Sequence, residues 1–209
     1  MIQILIADDH AVVRKGLTQI LLDEFSSALI EEVDNSEDLI RKAMDGNWDV
    51  IISDLTMPGR SGLDALHQLR RLFPKLPILI MSIHSEDQYA IRALKAGASG
   101  YLSKDSAPDE LVKAVRIVLK GKKYVSPYTA EKLANSLEPT QDKLPHEYLS
   151  DREFDVLKLI AAGKSVSDIA RQLSLSVTTI STYRSRVLRK MHIRTNAGLT
   201  MYAIDNQLL

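Results

Sequence analysis

Over residues 1–121 the apolar positions fall into two alternating rhythms. Short β-rich runs stand at Gln3–Ala7, Ala28–Val33, Val50–Ser53, Ile78–Ser82 and Gly100–Leu102. Between them apolar residues recur at helical spacing, as in Val12, Val13, Leu17, Ile20 and Leu21, or Leu63, Leu66, Leu69 and Leu72. Repeated βα units with short connections predict a parallel sheet covered by helices on both faces. The runs "VIIS" and "ILIMS" are apolar at nearly every position, as strands buried on both sides must be. The expected fold is therefore α/β, a doubly wound five-stranded parallel sheet. Ser36 with Glu37 and Asp38 marks one helix start, and "SAPDEL", with Pro108 in the first turn, marks another. "PGRSG" and "KAGASG" are turn chemistry.

The pattern changes twice more. Residues 122–148 contain Pro127, Pro139 and Pro145 and the polar stretch "EPTQDKLPHE". This predicts a partly ordered linker, with a short helix in "SPYTAEKLANSL". Residues 149–209 show no strand period and predict four helices, at 151–162, 166–173, 177–190 and 196–206. Gly163 ends the first, Ser165 or Ser167 caps the second, and Ser176 caps the third. The expected organisation is thus 1–121, 122–148 and 149–209.

Composition narrows the function classes. The chain has 209 residues, 45% hydrophobic and 26% charged, which suits two soluble globular domains. No apolar run approaches the roughly 20 residues of a membrane helix, and no signal-peptide pattern opens the chain. No cysteine is present, which excludes disulfides and thiolate metal sites and fits a cytoplasmic protein with no membrane partner. The zero net charge hides an asymmetry: residues 149–209 hold nine Lys and Arg against five Asp and Glu. No acid stands between Asp168 and Asp205, whereas Arg171, Arg184, Arg186, Arg189, Lys190 and Arg194 do. A basic C-terminal segment points to a polyanionic partner.

Ligands of doubly wound sheets bind beyond the C-terminal strand ends. There the chain offers Asp8 and Asp9, Asp54 in "SDLTMPG", Ser82, and Lys104 in "YLSKD". Converging carboxylates repel one another unless a counter-charge is present. Mg²⁺ prefers oxygen ligands and takes one or two carboxylates plus a phosphate. A carboxylate accepts a phosphoryl group when a metal neutralises the developing charge. Lys104 adds a positive charge and Ser82 a hydroxyl. Each residue alone has an ordinary structural explanation; their joint occurrence at successive strand ends is what carries weight.

Asp8-Asp9, Asp54 with "LTMPG", Ser82 and "GYLSKD" together resemble the receiver domain of bacterial response regulators, a flavodoxin-like fold. The resemblance implies that Asp54 accepts a phosphoryl group from a sensor histidine kinase or a small phosphodonor. It implies Mg²⁺ held by Asp8, Asp9, Asp54 and the Thr56 backbone carbonyl, with Asp9 the more direct ligand. It implies Lys104 on the phosphoryl group and a switch pair, Ser82 and Tyr101, where the family often has Thr in place of Ser82. His10 is expected at the surface.

In the C-terminal part the apolar stripes are Val156, Leu157, Leu159 and Ile160, then Ile169, Ala170 and Leu173, then Ile180, Val187, Leu188 and Met191. "LSLSV" makes the turn between the second and third helices, which is helix-turn-helix logic. Leu149 to Glu153 and "STYRSRVLRKM" resemble the LuxR-type helix-turn-helix, so the whole chain resembles a NarL/FixJ-type response regulator. Its partner would be double-stranded promoter DNA. Helical position puts Ser181, Thr182 and Ser185 at base edges, and Thr179, Arg186, Arg189 and Lys190 at phosphates. Arg184 falls at an inward position and is expected to pair with Glu153 or Asp155. By the resemblance the last helix serves a homodimer when active, with Leu199, Tyr202 and Ala203 on one side; the alternative for each is that it completes the core of its own domain.

Two other classes compete: an aspartyl-phosphate-forming hydrolase and a phosphorylation-independent DNA binder. Such hydrolases usually carry a second acid two residues after the nucleophile, where Thr56 stands here. The intact set of Asp8, Asp9, Asp54, Ser82 and Lys104 disfavours a decayed pocket. A nucleotide-binding Rossmann domain lacks its glycine signature.

Overall fold

The computed structural model describes residues 1–57, 62–83, 86–105, 107–135 and 144–209. Most of the predicted turn "PGRSG" and the polar stretch at 136–143 lie outside the described residues. The chain divides into two compact units, 1–137 and 138–209.

In the first unit β1 (Gln3–Ala7), β2 (Leu29–Val33), β3 (Val50–Asp54), β4 (Ile78–Ser82) and β5 (Gly100–Ser103) form one sheet in the order β2-β1-β3-β4-β5. All pairings are parallel. The helices between them are α1 (Ala11–Glu24), α2 (Ser36–Asp45), α3 (Gly62–Leu72), α4 (Glu86–Lys95) and α5 (Ala107–Leu119). Successive strand side chains point to opposite faces. Ile4, Ile6, Val50, Ile52, Leu79, Met81 and Leu102 therefore share one face, packed against Leu17 and Leu21 of α1 and Leu111, Val115 and Val118 of α5. The three inner strands β1, β3 and β4 are nearly all buried, as their continuous apolar runs require. β2 is an edge strand, and it carries Glu31 and Glu32, paired with Lys42 at 2.6 Å and Arg14 at 3.2 Å.

α2 starts at Ser36, as the sequence predicts, behind Asn35 as its cap, whose side chain accepts the Asp38 N–H. One local detail differs from the sequence reading. The expected linker begins as part of the first unit. Tyr124 forms a parallel bridge with Gly100, its N–H reaching the Ser99 carbonyl at 2.8 Å. α6 (Pro127–Asn135), the short helix expected there, packs on α4.

The second unit opens with a 3₁₀ turn, Pro145–Tyr148, and continues as α7 (Asp151–Ala161), α8 (Val166–Gln172), α9 (Val177–Lys190) and α10 (Asn196–Asp205). Ser150, Ser165 and Ser176 cap the first three of these helices. α7 packs on α9 and α10, and α8 on α9. Phe154, Val156, Leu157, Ile169, Ile180, Val187, Leu199 and Ala203 fill the space between them. Among the described residues, no helix is long and apolar enough to cross a membrane.

Gly163 follows α7 with φ +81°, and a Cβ there would meet nothing within 4 Å. The cost of a side chain is then purely that of the left-handed backbone. Gly163→Ala is expected to destabilise the second unit by about 1–2 kcal/mol in urea unfolding. The unfolding midpoint of the first unit should not move.

Candidate functional site

Register sets the geometry of the first site. Ala7 pairs with Ser53, so the next residues, Asp8 and Asp54, leave neighbouring strands side by side. This is also where the strand order reverses. Ser82 pairs with Ser103, which brings Lys104 to the same end of the sheet. Asp8 and Asp54 are only 1% and 4% exposed. The Lys104 ammonium lies between them, 2.6 Å from Asp8 Oδ2 and 2.8 Å from Asp54 Oδ2. Thr56, exposed, donates its backbone N–H to Asp54 Oδ1 at 3.2 Å.

Burial pushes the Asp54 carboxyl above its usual range, against the pull of Lys104. Burial alone would lower the Lys104 ammonium. The hydrogen bonds and charges of Asp54 and Asp8 outweigh it and hold the lysine above its usual value.

Asp8, Asp9, His10 and Asp54 each bring a ligand atom within 4.8 Å of the others. Oxygen donors dominate this set, which fits a hard divalent cation such as Mg²⁺. Asp8 already has both oxygens engaged: Oδ2 with Lys104, and Oδ1 with the His10 backbone N–H at 2.8 Å. Asp9 is more exposed and meets the His10 ring at 2.7 Å. His10 was expected merely at the surface. Its ring is indeed exposed, yet Nδ1 also lies 3.3 Å from Asp8 Oδ1, so it joins the acidic cluster.

A glycine shapes the loop beyond Asp54. Gly62 donates its N–H to the Leu55 carbonyl at 2.9 Å. A Cβ at Gly62 would lie 2.6 Å from the Asp54 carbonyl oxygen and 2.7 Å from Leu55 Cα, so the backbones can close only on glycine. The sequence showed this residue only as turn chemistry. Ser82 and Tyr101 are both buried, 0% and 2% exposed, and their side chains are hydrogen-bonded to each other.

The second site is the outer side of α9. Thr178, Ser181, Thr182, Ser185, Arg186 and Arg189 are exposed along it, and Thr179 is half-buried. Thr182 and Ser185 send their hydroxyls back to the Thr178 and Ser181 carbonyls, at 3.0 and 2.9 Å. Ser176, Thr178, Thr179, Thr182, Tyr183 and Arg186 line a shallow groove. Thr178 and Tyr183 were missed in the sequence, though Thr178 shares the face of Thr182 and Ser185 by helical spacing.

Arg184, expected to pair with Glu153 or Asp155, donates instead to Asn196 Oδ1 at 2.7 Å. Glu153 pairs with Lys190 at 2.6 Å, and Lys190, expected on DNA phosphate, remains exposed while tied to α7 by this nearly buried acid. Leu199 and Ala203, expected at a dimer contact, are 0% exposed within their own unit, and Tyr202 bonds His146 Nδ1 at 2.9 Å. The exposed apolar residues of α10 are on the other side, Met201 and Ile204.

Residues 4–116 match the response regulator receiver domain, and residues 147–203 match the bacterial regulatory proteins of the luxR family. The chain belongs to the response regulators. It is 35% identical over 210 residues to the response regulator GacA of Pseudomonas viridiflava, covering all of this chain and 98% of that one. It also resembles RcsB of Salmonella enterica serovar Typhimurium bound to the promoter rprA with the phosphomimetic BeF₃⁻. There the identity is 28% and the TM-score 0.66, with 97% of this chain and 98% of that chain covered. A structure of two RcsB dimers bound to two parallel DNAs is similar at 28% identity and TM-score 0.59, covering 96% and 97%. Response regulators of this NarL/FixJ type are DNA-binding transcriptional regulators of two-component systems.

Glu153 has a second duty, since its Oε2 also accepts the Ser150 backbone N–H at 2.8 Å to close a capping box. Burial would raise this carboxyl, but Lys190 and the Ser150 hydrogen bonds hold it below the usual range. A carboxyl depressed on folding contributes stability above its unfolded pKa, about 4.3, and loses it as pH falls through the folded value. Lys190→Ala should therefore destabilise the second unit at pH 7, by about 1 kcal/mol because the lysine is partly exposed. The difference from the unsubstituted protein should shrink below about pH 4, measured by urea unfolding across pH.

Proposed function

We propose that the chain is a transcription regulator switched by phosphorylation of Asp54, with a sensor histidine kinase as donor and Mg²⁺ as cofactor. The observation that carries this reading is the buried Asp54 carboxylate, held by Lys104 beside Asp8 and Asp9. An exposed, hydroxyl-rich and basic α9 in the same chain supports the DNA-binding output.

In this reading an Asp54 carboxylate oxygen attacks the donor phosphorus. The bond from phosphorus to the donor's nitrogen or oxygen breaks, and its electron pair leaves with the donor. Asp8, Asp9, Asp54 and the Thr56 carbonyl would hold Mg²⁺, which when bound offsets the negative charge on the phosphoryl oxygens. Lys104, already 2.8 Å from Asp54, turns its ammonium to a phosphoryl oxygen. Ser82 donates its hydroxyl to another, and Tyr101 adjusts to the change. The product is an acyl phosphate carrying about −1.5 to −2 charge at one point.

On DNA, Arg186 and Arg189 meet phosphates while Ser181, Thr182 and Ser185 meet base edges. RcsB forms dimers on DNA. Here the exposed Met201 and Ile204 of α10 are the apolar surface such a homodimer would bury. The receiver unit then comprises the chain through α6, and the DNA-binding unit begins at the 3₁₀ turn.

Incubation with Mg²⁺ and acetyl phosphate should add the mass of one phosphoryl group to the intact chain, and Asp54→Asn should show no gain. Steady phosphate release instead would favour a hydrolase. Arg186→Ala should weaken binding to all DNA sequences alike and reduce the salt slope of log K by about one. Thr182→Ala should instead change the base preference, as read by selection from a randomised duplex library.

A further inference from the structure

Arg14, in the first turn of α1, holds two groups at once. Its Nη1 donates to the Asp8 backbone carbonyl at 2.6 Å, and its Nε donates to Glu32 Oε2 at 3.2 Å. Glu32 stands on β2 opposite Ile6 of β1, so its side chain points to the face of the sheet that α1 covers. The other oxygen of Glu32 accepts the Thr18 hydroxyl at 2.9 Å. Arg14 and Thr18 are four residues apart and share one face of α1. One carboxylate of the edge strand thus fixes two side chains of the helix. The Arg14 side chain is only 16% exposed.

An ion pair that joined α1 to β2 would need only the contact with Glu32. The contact with Asp8 is additional, and it falls on the turn that carries the acids. The chain passes from β1 to α1 through Asp8, Asp9 and His10. α1 does little to fix its own start: the His10 side chain makes no cap hydrogen bond, and no acid stands in the first turn. The Asp8 carbonyl belongs to the planar peptide unit between Asp8 and Asp9. Holding that oxygen sets the plane, and with it the direction in which the Asp9 side chain leaves the backbone. From the other side, Asp8 Oδ1 accepts the His10 N–H at 2.8 Å. The turn is bracketed at both ends, and Asp9 Oδ1 meets the His10 ring within the acidic cluster.

We propose that Arg14 is a positioning residue for the cation site: through the Asp8 carbonyl it aims the Asp9 carboxylate at the place where Mg²⁺ binds, and Glu32 in turn aims Arg14. The inference rests on the Mg²⁺ reading above. A guanidinium suits the task because its planar fork presents Nε and Nη1 in fixed directions, whereas an ammonium is a point charge on a flexible stem. Arg14 itself touches neither the cation nor the phosphoryl group. Its charge works against its geometry, since a cation beside the cluster repels Mg²⁺. Positioning and charge therefore predict opposite outcomes when the arginine is removed.

The test is calorimetric titration of Mg²⁺ into the full chain and into Arg14→Gln, Arg14→Lys and Glu32→Gln. NMR of the Asp9 and His10 amides in the metal-free chains, and intact mass after acetyl phosphate, accompany it. Arg14→Gln removes a positive charge, yet it should bind Mg²⁺ about tenfold more weakly, as loss of the hydrogen bond that orients a ligand does. Arg14→Lys, which keeps the charge, should also bind more weakly. Glu32→Gln, which lies outside the pocket, should fall between Arg14→Gln and the unsubstituted chain. The Asp9 and His10 amide signals should shift in all three variants before any metal is added. Phosphorylation of Arg14→Gln should slow at limiting Mg²⁺ and recover as Mg²⁺ is raised, a dependence that a general loss of stability does not produce. Unchanged or tighter Mg²⁺ binding in Arg14→Gln would overturn the positioning role. So would an Arg14→Lys chain that binds Mg²⁺ as the unsubstituted chain does. An unsubstituted chain that binds no Mg²⁺ and gains no phosphoryl group would instead overturn the reading of Asp54, and the role of Arg14 with it.

Discussion

Lys104 Nζ lies 2.6 Å from Asp8 and 2.8 Å from Asp54, and both carboxylates are nearly buried. Without that ammonium, two adjacent parallel strands would end on like charges in a low-dielectric rim. The register of β1 against β3 makes the two acids neighbours, and that of β4 against β5 delivers the lysine. The sheet is thus the device that assembles the pocket. In the proposed phosphoacceptor reading, the same contact would let the pocket take a cation and a phosphoryl group. Part of its negative charge is offset by a side chain that can turn elsewhere, so new charge could enter without rebuilding the fold.

The second unit repeats the logic for a different purpose. Glu153 is nearly buried, and Lys190 at the end of α9 pairs with it at 2.6 Å. Here the pair fixes α9 against α7 and closes a helix cap at once. Arg186 and Arg189 stand exposed on the outer side of α9. Positive charge in this unit divides by what lies beneath it, a buried acid for Lys190 and solvent for the two arginines.

Much of this was legible in the chain. The strands could be read because β1, β3 and β4 are apolar on both faces, and the pocket because Asp8, Asp54 and Ser82 sit where those runs stop and Lys104 follows β5. Ser165 and Ser176 announced their helices as caps. What escaped was set by contacts between elements. The sequence offered Glu153 as a partner for Arg184, but which cation reaches it is decided only when α7 and α9 pack together. Helical spacing showed that Leu199 and Ala203 share a face of α10 but left open whether a partner or their own unit covers it; their own unit does. Tyr124 carries no strand pattern, since a single bridge needs only one extended residue beside Gly100. His10 joined the acids because the turn into α1 brings its N–H back to Asp8.

If Lys104 is the counter-charge that the cation partly replaces, removing it must make the pocket hungrier for metal. Calorimetric titration of Mg²⁺ into the chain and into Lys104→Met measures this directly. The account predicts binding tighter in the variant by at least about tenfold, since one unit charge at about 4 Å is worth about 4 kcal/mol at an effective dielectric near 20. Affinity that is unchanged or weaker without the lysine would contradict it.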